Sequence, residues 1–287
     1  MKTSTEIWSI AKLVGEEKAI EHVAKSGFDA WDFSMFEMCR YDRQNARVIQ
    51  TDHPLSGRNY LSFVSKLKRI GLDNGIVCNQ THAPFPTDAN EVMSFMKRAI
   101  ECTAEVGGEI CVIHPLKKVE LEKNIDMYSE LLIFAKSCNV KLAAENIYTW
   151  NVEKDIAMPA ACSTAYDFCA LIDAIDDESF VACLDIGHAE MMTDGTNAPA
   201  MIKALGNRIK ALHICDNDKR HDSHQIPFSM SIDFDGVVSA LKHIGYKGYF
   251  TLEAGSFLDG YTSENIHKAV KNLALAAQRL AKMFDEL

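Results

Sequence analysis

Four apolar runs in this chain each end on a ligand-type residue: VKLAAE on Glu145, FVACLD on Asp185, IKALH on His213 and YFTLE on Glu253. Alternate side chains of a strand share a face, so Glu145 falls with Ala143, Asp185 with Cys183, His213 with Ala211 and Glu253 with Thr251. A polar group that ends an otherwise buried face points into a mouth. Four such groups meet only if their strands lie side by side in one closed parallel sheet. The pattern therefore constrains the fold before it constrains the chemistry.

The rest of the chain fits that sheet. Strand-like runs EIWSIA, FDAWDFSMF, GIVCNQTHA and EICVIHP precede the four, and each of the eight is followed by an amphipathic helical pattern. Eight strand–helix alternations with no linker between them imply an α/β fold, a (β/α)8 TIM barrel forming a single domain over residues 1–287. A chain of 287 residues, 47% hydrophobic, has enough apolar surface for its core. The longest connections, Glu37 to Arg58, Thr149 to Ser163 and Asp216 to Ile232, all follow strands. They belong to the face on which barrel enzymes carry their chemistry.

Composition narrows the partners. Forty acidic against 30 basic residues give a net charge of -10, which repels nucleic acid at long range and favours a small-molecule partner. Nine cysteines, an odd number without a CxxC pair and with several inside apolar runs, read as reduced core thiols rather than a disulfide framework. No signal-peptide pattern opens the sequence, and no run reaches the ~18 apolar residues of a membrane span. The expectation is a cytoplasmic protein with no membrane association; the sequence leaves the oligomeric state open and allows a homo-oligomer.

Three oxygen ligands and one imidazole suit a divalent ion, so Glu145, Asp185, His213 and Glu253 are the expected metal quartet. Mn²⁺ is preferred for a hard carbonyl–hydroxyl chelate, and Zn²⁺ or Co²⁺ is also acceptable. More ligand types collect on the same rim: His82 ending the third strand, on the inward parity of Cys78, His114 ending the fourth, His188 three residues past Asp185, and Asp222 and His224 in HDSH. Each is a candidate for a further metal or for substrate. Such an ion, holding a carbonyl oxygen and the neighbouring hydroxyl, would acidify the carbon-bound proton between them and stabilise the enediolate. Glu145 and Glu253, from opposite sides of the ring, are the expected catalytic pair, taking a proton from one face and returning it to the other or to the next carbon.

At these residues the chain resembles the xylose-isomerase-like TIM barrels, a superfamily that includes sugar epimerases, inosose dehydratase and isomerase proteins, and the endonuclease IV branch. AAENIY, CLDIGHAEM, LHICDND followed by DSH, and IGYKGYFTLEA carry the resemblance, which spans nearly the whole chain; the last matches the GYxGxxxLE ending of the sugar isomerase/epimerase branch. The resemblance implies the same quartet and gives His188 a contact with substrate oxygens. His82, His114, Asp222 and His224 match positions that complete a multi-metal cluster in the endonuclease branch. Two departures stand out. Pro227 is followed by Phe228, Ser229, Met230 and Ser231, where a Gly-x-Gly turn is common, and strand two carries Asp32 where a Glu is frequent. Asp32 is accordingly a candidate for a distal substrate hydroxyl.

Lesser candidates are Lys219 and Arg220, for a substrate phosphate or carboxylate, and Phe85, Trp150 and Phe228, for an apolar wall against a sugar. No phosphate-binding Gly-rich loop, GxSxG elbow or dinucleotide fingerprint is present. The sequence thus points to a divalent-metal-dependent isomerase or epimerase of a sugar, sugar phosphate or polyol ketone. The alternatives are a multi-metal phosphodiester hydrolase of the endonuclease IV kind and an inosose dehydratase-type lyase, the latter expelling a β-hydroxyl from the same enediolate.

Overall fold

Eight parallel strands form a ring: β1 (Thr3–Thr5), β2 (Ala30–Ser34), β3 (Val77–His82), β4 (Ile110–Ile113), β5 (Lys141–Glu145), β6 (Phe180–Asp185), β7 (Ile209–His213) and β8 (Phe250–Leu252). They come from a computed structural model that describes residues 1–42, 44–45, 47–89, 91–191 and 195–287. Strands β2 to β7 form one continuous sheet in sequence order, and β1 pairs with β8. Single bridges, Glu6 with Asp32 and Ile214 with Leu252, join the two sets. Main-chain hydrogen bonds cross both joints: Glu253 N–H donates to Ile214 O at 2.9 Å, and Ile7 N–H to Asp32 O at 3.2 Å. The ring is a closed (β/α)8 barrel.

Eight helices pack outside it: Glu16–Ser26, Tyr60–Asp73, Met93–Val106, Leu121–Ser137, Ala165–Ile175, Ala198–Leu205, Phe234–His243 and Ile266–Glu286. Their ends follow local chemistry. Thr164, Asn197 and Asp233 accept from main-chain N–H groups of the first turn. Gly27 and Gly107 close helices at φ 92° and 85°, where a Cβ is disfavoured.

Inside the ring, one half is apolar and the other polar. Ile110, Val112, Ala143, Val181, Cys183 and Ala211 form a buried cluster of their own, apart from the larger core between strands and helices. Opposite them, Ser4 Oγ donates to Asn79 Oδ1 (2.6 Å), Asn79 Nδ2 to Thr251 Oγ1 (3.1 Å) and Gln80 Nε2 to Asp32 Oδ2 (2.9 Å). A bulge creates this half. Trp31 pairs with Cys78 but Asp32 with Gln80, so Asn79 is the extra residue of β3, and Asn79 and Gln80 both bond within the ring.

Two sequence expectations change. EIWSIA is not the first strand: β1 is Thr3–Thr5, and Trp8–Val14 is an additional helix with Ile10 buried beneath it. A short apolar run does not separate strand from helix by periodicity alone. The inward parity assigned to Cys78 is overturned by the bulge, which turns that thiol into the outer core. The long connections after β2 and β5 contain antiparallel hairpins, Cys39–Asp42 with Arg47–Gln50 and Tyr148–Asn151 with Ile156–Pro159, although Arg43 and Ala46 lie outside the described residues.

Behind the rim, close packing leaves no room for a side chain at Gly187, where a Cβ would lie 2.5 Å from Cys215 Sγ. Gly187→Ala should therefore destabilise the protein by about 1–3 kcal/mol through overpacking. Adding Cys215→Ala, which removes the obstructing sulfur, should recover part of that loss. Urea unfolding of the single and double variants measures both, and equal stability of Gly187→Ala and the parent would refute the packing account.

Candidate metal centre

Glu145 and Asp185 are the last residues of β5 and β6, His213 is the last of β7, and Glu253 follows β8 directly. One donor atom from each of the four lies within 4.8 Å of the others. Two ligands held at about 2.0–2.2 Å from a common ion can stand at most about 4.4 Å apart, so a small contraction lets the four share one. Glu145, Asp185 and His213 are almost wholly buried.

Neighbouring groups fix the directions of these side chains. Asn146 stitches the ends of β5 and β6 together, donating to Asp185 O (2.9 Å) and accepting from Asp185 N–H (2.8 Å). Asp185 Oδ1 accepts from His188 N–H at 2.7 Å, capping the short helix Ile186–Glu190 and leaving Oδ2 free. Three histidines are tied by Nδ1 to main-chain carbonyls: His82 to Ala83 O (2.8 Å), His188 to Asn146 O (2.8 Å) and His224 to Glu253 O (2.7 Å). A carbonyl can only accept, so Nδ1 carries the hydrogen in each and Nε2 faces the site. Metal-ligating imidazoles are normally oriented by a second nitrogen bonded in this way.

Besides His82–His213–Glu253, which overlaps the quartet at two residues, these imidazoles form two further groups with ligand spacing. His82, His114 and Glu145 are one: His82 Nε2 is 3.1 Å from Glu145 Oε2, and His114 Nε2 is 3.2 Å from the same oxygen. His188, Asp222 and His224 are the other, with Asp222 Oδ2 3.4 Å from His188 Nε2 and 3.1 Å from His224 Nε2. Tyr148 O–H donates to the same Asp222 oxygen at 3.0 Å. His224 sits at φ 40°, an uncommon conformation for a residue with a side chain, held by its bond to Glu253. All nine residues expected to ligate or touch substrate on this rim are thereby brought to one site.

Charge in this site is crowded. Burial alone would raise Glu145, but contacts with His213, His114 and His82 hold its carboxyl well below the ordinary range. Glu253 goes the other way: burial, with added repulsion from Glu145 and Asp185, pushes it up to about 7. Asp185 is also raised by burial. Burial disfavours the imidazolium of His188, yet Asp185 and Asp222 outweigh it and lift that ring to about 10, whereas burial takes His114 down to about 4.

The site opens into a cavity of about 980 Å³. Phe85 and Trp150 line it, as expected, with Trp8, Phe36 and Tyr148. Phe228 does not: at φ 72° it packs on Phe234 and beneath the Arg279 guanidinium. Arg220 also lies outside the lining, because its guanidinium donates to Asp155 Oδ2 (2.7 Å) and Asp155 O (2.9 Å), tying the strand-seven loop to the 148–159 hairpin. Lys219 pairs with Glu190 at 3.1 Å. Asp32 cannot reach a substrate hydroxyl. It is fully buried with two residues of β2 still to come, one layer below the rim, its Oδ2 3.3 Å from His213 Nε2. Glu6, absent from the sequence reading because β1 was misplaced, lines the cavity and accepts from Ser9 N–H at 3.0 Å.

The donor set fits a divalent cation. Asp32 Oδ1, Asp185 Oδ2 and Asp222 Oδ1 are buried with no hydrogen-bond partner among the described residues, a costly arrangement that a cation or its water would relieve at the latter two. Burial disfavours the charged ring, yet Asp185 and Asp222 raise His188, Cys183 and Glu145 raise His213, and Asp222 and Glu253 raise His224, so each holds its protons more tightly than a free imidazole. Cation uptake must displace those protons, so affinity should rise with pH from 5 to 8 and binding should release protons. Calorimetric titration with Mn²⁺ in buffers of different ionisation enthalpy reads the release; a buffer-independent heat would contradict it.

Comparison with known proteins agrees with the barrel fold. The xylose isomerase-like TIM barrel family matches residues 20–280. An uncharacterized protein of Methanocaldococcus jannaschii is 25% identical over 268 residues, covering 87% of this chain and 83% of its own. The L-ribulose 3-epimerase of a Methylomonas species is 22% identical over 292 residues, covering 98% and 89%. Among solved structures, a D-tagatose 3-epimerase-like protein superposes with a TM-score of 0.70 at 22% identity, over 98% of this chain and 100% of its own. With the family matched over most of its length, on a closed eight-stranded ring, the chain belongs to the xylose isomerase-like TIM barrels.

Proposed function

We propose that this protein is a divalent-metal-dependent isomerase or epimerase acting on a sugar, sugar phosphate or polyol ketone. The observation that carries the reading is the pair Glu145 and Glu253, at the ends of β5 and β8, sharing a donor centre with Asp185 and His213 and lining a cavity. Those four residues would hold the ion, which supplies Lewis-acid polarisation of a substrate carbonyl. Mn²⁺ is the preferred occupant, with Zn²⁺ or Co²⁺ acceptable. The names of two relatives, an L-ribulose 3-epimerase and a D-tagatose 3-epimerase-like protein, support a ketose substrate.

The protein's own groups divide the proton work. Glu145 is kept ionised by the histidines around it, while Glu253 is poised near neutrality by burial. Two carboxyls pushed apart in this way provide a base on one face of a carbon and an acid on the other. His188, with Nδ1 anchored on Asn146 O, offers Nε2 to a substrate oxygen, and Phe85, Tyr148 and Trp150 form apolar walls that limit water.

A second reading rests on a specific observation. The groups His82–His114–Glu145 and His188–Asp222–His224 flank the quartet, the first sharing Glu145 with it, as a multi-ion phosphodiester hydrolase requires. Against it stands the net charge of -10, which disfavours a polyanionic substrate. Ion count and product separate the readings: one tightly held ion with ketose turnover supports the isomerase, and three ions with phosphodiester cleavage would replace it. Product mass detects the dehydratase variant, which loses water.

For the isomerase, turnover in D₂O should place deuterium on the carbon next to the carbonyl, because a carboxyl proton at an open mouth exchanges with solvent. Glu253→Gln and Glu145→Gln should each lower that exchange by about three orders of magnitude or more, at measured ion content. NMR and mass analysis of recovered ketose provide the readout. A fully ion-loaded Glu253→Gln protein exchanging at the parent rate would remove Glu253 from the mechanism.

A further inference from the structure

We propose that Asp32 is the positioning residue of the centre, holding His213 with its hydrogen on Nε2 so that Nδ1 is aimed at the carboxylates, with Gln80 holding Asp32 in turn. This rests on the reading that the quartet binds an ion. His213 is oriented oppositely to its neighbours: Nδ1 lies 2.8 Å from Glu145 Oε1 and 3.6 Å from Glu253 Oε2, and Nε2 turns down to Asp32 Oδ2 at 3.3 Å. The anchors of His82, His188 and His224 are neutral main-chain carbonyls, which no substitution alters. The anchor of His213 is a charged side chain. A carboxylate behind an imidazole fixes its tautomer and strengthens its other nitrogen as a donor.

The surroundings of Asp32 suit this task and no contact with substrate. It is fully buried, and Gln80 Nε2 donates to Oδ2 at 2.9 Å while also reaching Leu212 O at 3.3 Å, the residue before His213. Gln80 shares the inward parity of His82, the bulge brings Asn79 inward beside it, and Gln80 Oε1 accepts from Asn79 Nδ2 and Thr251 Oγ1, both at 3.3 Å. The string continues to Ser4, whose Oγ donates to Asn79 Oδ1 at 2.6 Å. A polar string through a barrel interior costs burial energy that apolar side chains would not, and here it ends on the one histidine of the quartet.

The test uses Zn²⁺ alone as probe. Asp32→Asn should remain folded, with Zn²⁺ affinity at the quartet reduced about 10–100-fold in chelator competition. Gln80→Leu, which removes the donor to Asp32, should move affinity the same way by less. Ser4→Ala, at the far end of the string, should lower the melting temperature without moving affinity. In the native chain labelled with ¹⁵N-histidine, the His213 resonance should show Nε2 protonated and Nδ1 bound to Zn²⁺. Equal Zn²⁺ affinity in native and Asp32→Asn proteins, an equal loss of affinity in Ser4→Ala, or a His213 proton on Nδ1 would overturn the proposal. Failure of Asp32→Asn to fold leaves the ¹⁵N measurement on the native chain to decide. A native chain that takes up no Zn²⁺, Mn²⁺ or Co²⁺ would instead sink the ion reading itself, a result distinct from all of these.

Discussion

Mutual repulsion among buried carboxylates is the constraint that the rest of this structure answers. Glu145, Asp185, Asp222 and Glu253 converge where water is scarce, with Asp32 a layer below. A group of this kind persists only if protons, hydrogen-bond donors or a cation offset it. Each histidine of the rim stands against one of these acids, and Asn146 locks two strand ends in register with a pair of hydrogen bonds. The barrel contributes what no single helix or hairpin can: strands in a closed ring that deliver side chains to one point from several directions.

The two halves of the ring interior divide the labour. On the β4 to β7 side, small and branched apolar groups fill the space below Glu145 and Asp185, giving those carboxylates a stiff, dry floor. On the β8, β1, β2 and β3 side, Thr251, Ser4, Asp32, Asn79 and Gln80 exchange hydrogen bonds with one another. His213 lies where the two halves meet, between Glu145 above and Asp32 below. Its ring stacks on that of His82, with centroids 5.4 Å apart and planes inclined by 19°, so the quartet and the flanking His82–His114 pair are mechanically joined.

Much of this was legible in the sequence, for a physical reason. A strand side chain has only two directions, so parity assigns Glu145, Asp185 and His213 to the mouth once the strands are recognised. The same rule failed at Cys78, since one inserted residue reverses every face before it and no residue type announces a bulge. It failed again at the first strand. There, three residues of TST pair with β8, while the more apolar stretch after them winds into a helix. Misplacing β1 hid Glu6. The directions of Arg220 and Phe228 were unreadable for a different reason, because both are set by partners distant in sequence, Asp155 and Arg279, across loops that carry no periodic signal.

The joint between β1 and β8 has a consequence for how the molecule is assembled. Thr5 and Leu252 meet across 247 positions of chain. A growing chain cannot seal the ring until residue 252 has left the ribosome, and through that interval the outer margins of β1 and β7 are unpaired ladders open to any passing strand. Glu253 follows the sealing strand by a single residue, so the final carboxylate arrives in the same event that closes the wall. Nascent polypeptide stalled short of that point would carry Glu145, Asp185 and His213 without their fourth member. Completion of the four-residue donor set and ring closure are thus tied to one late step, and a ribosome-bound fragment is the species in which sticky edges and an incomplete donor set coexist.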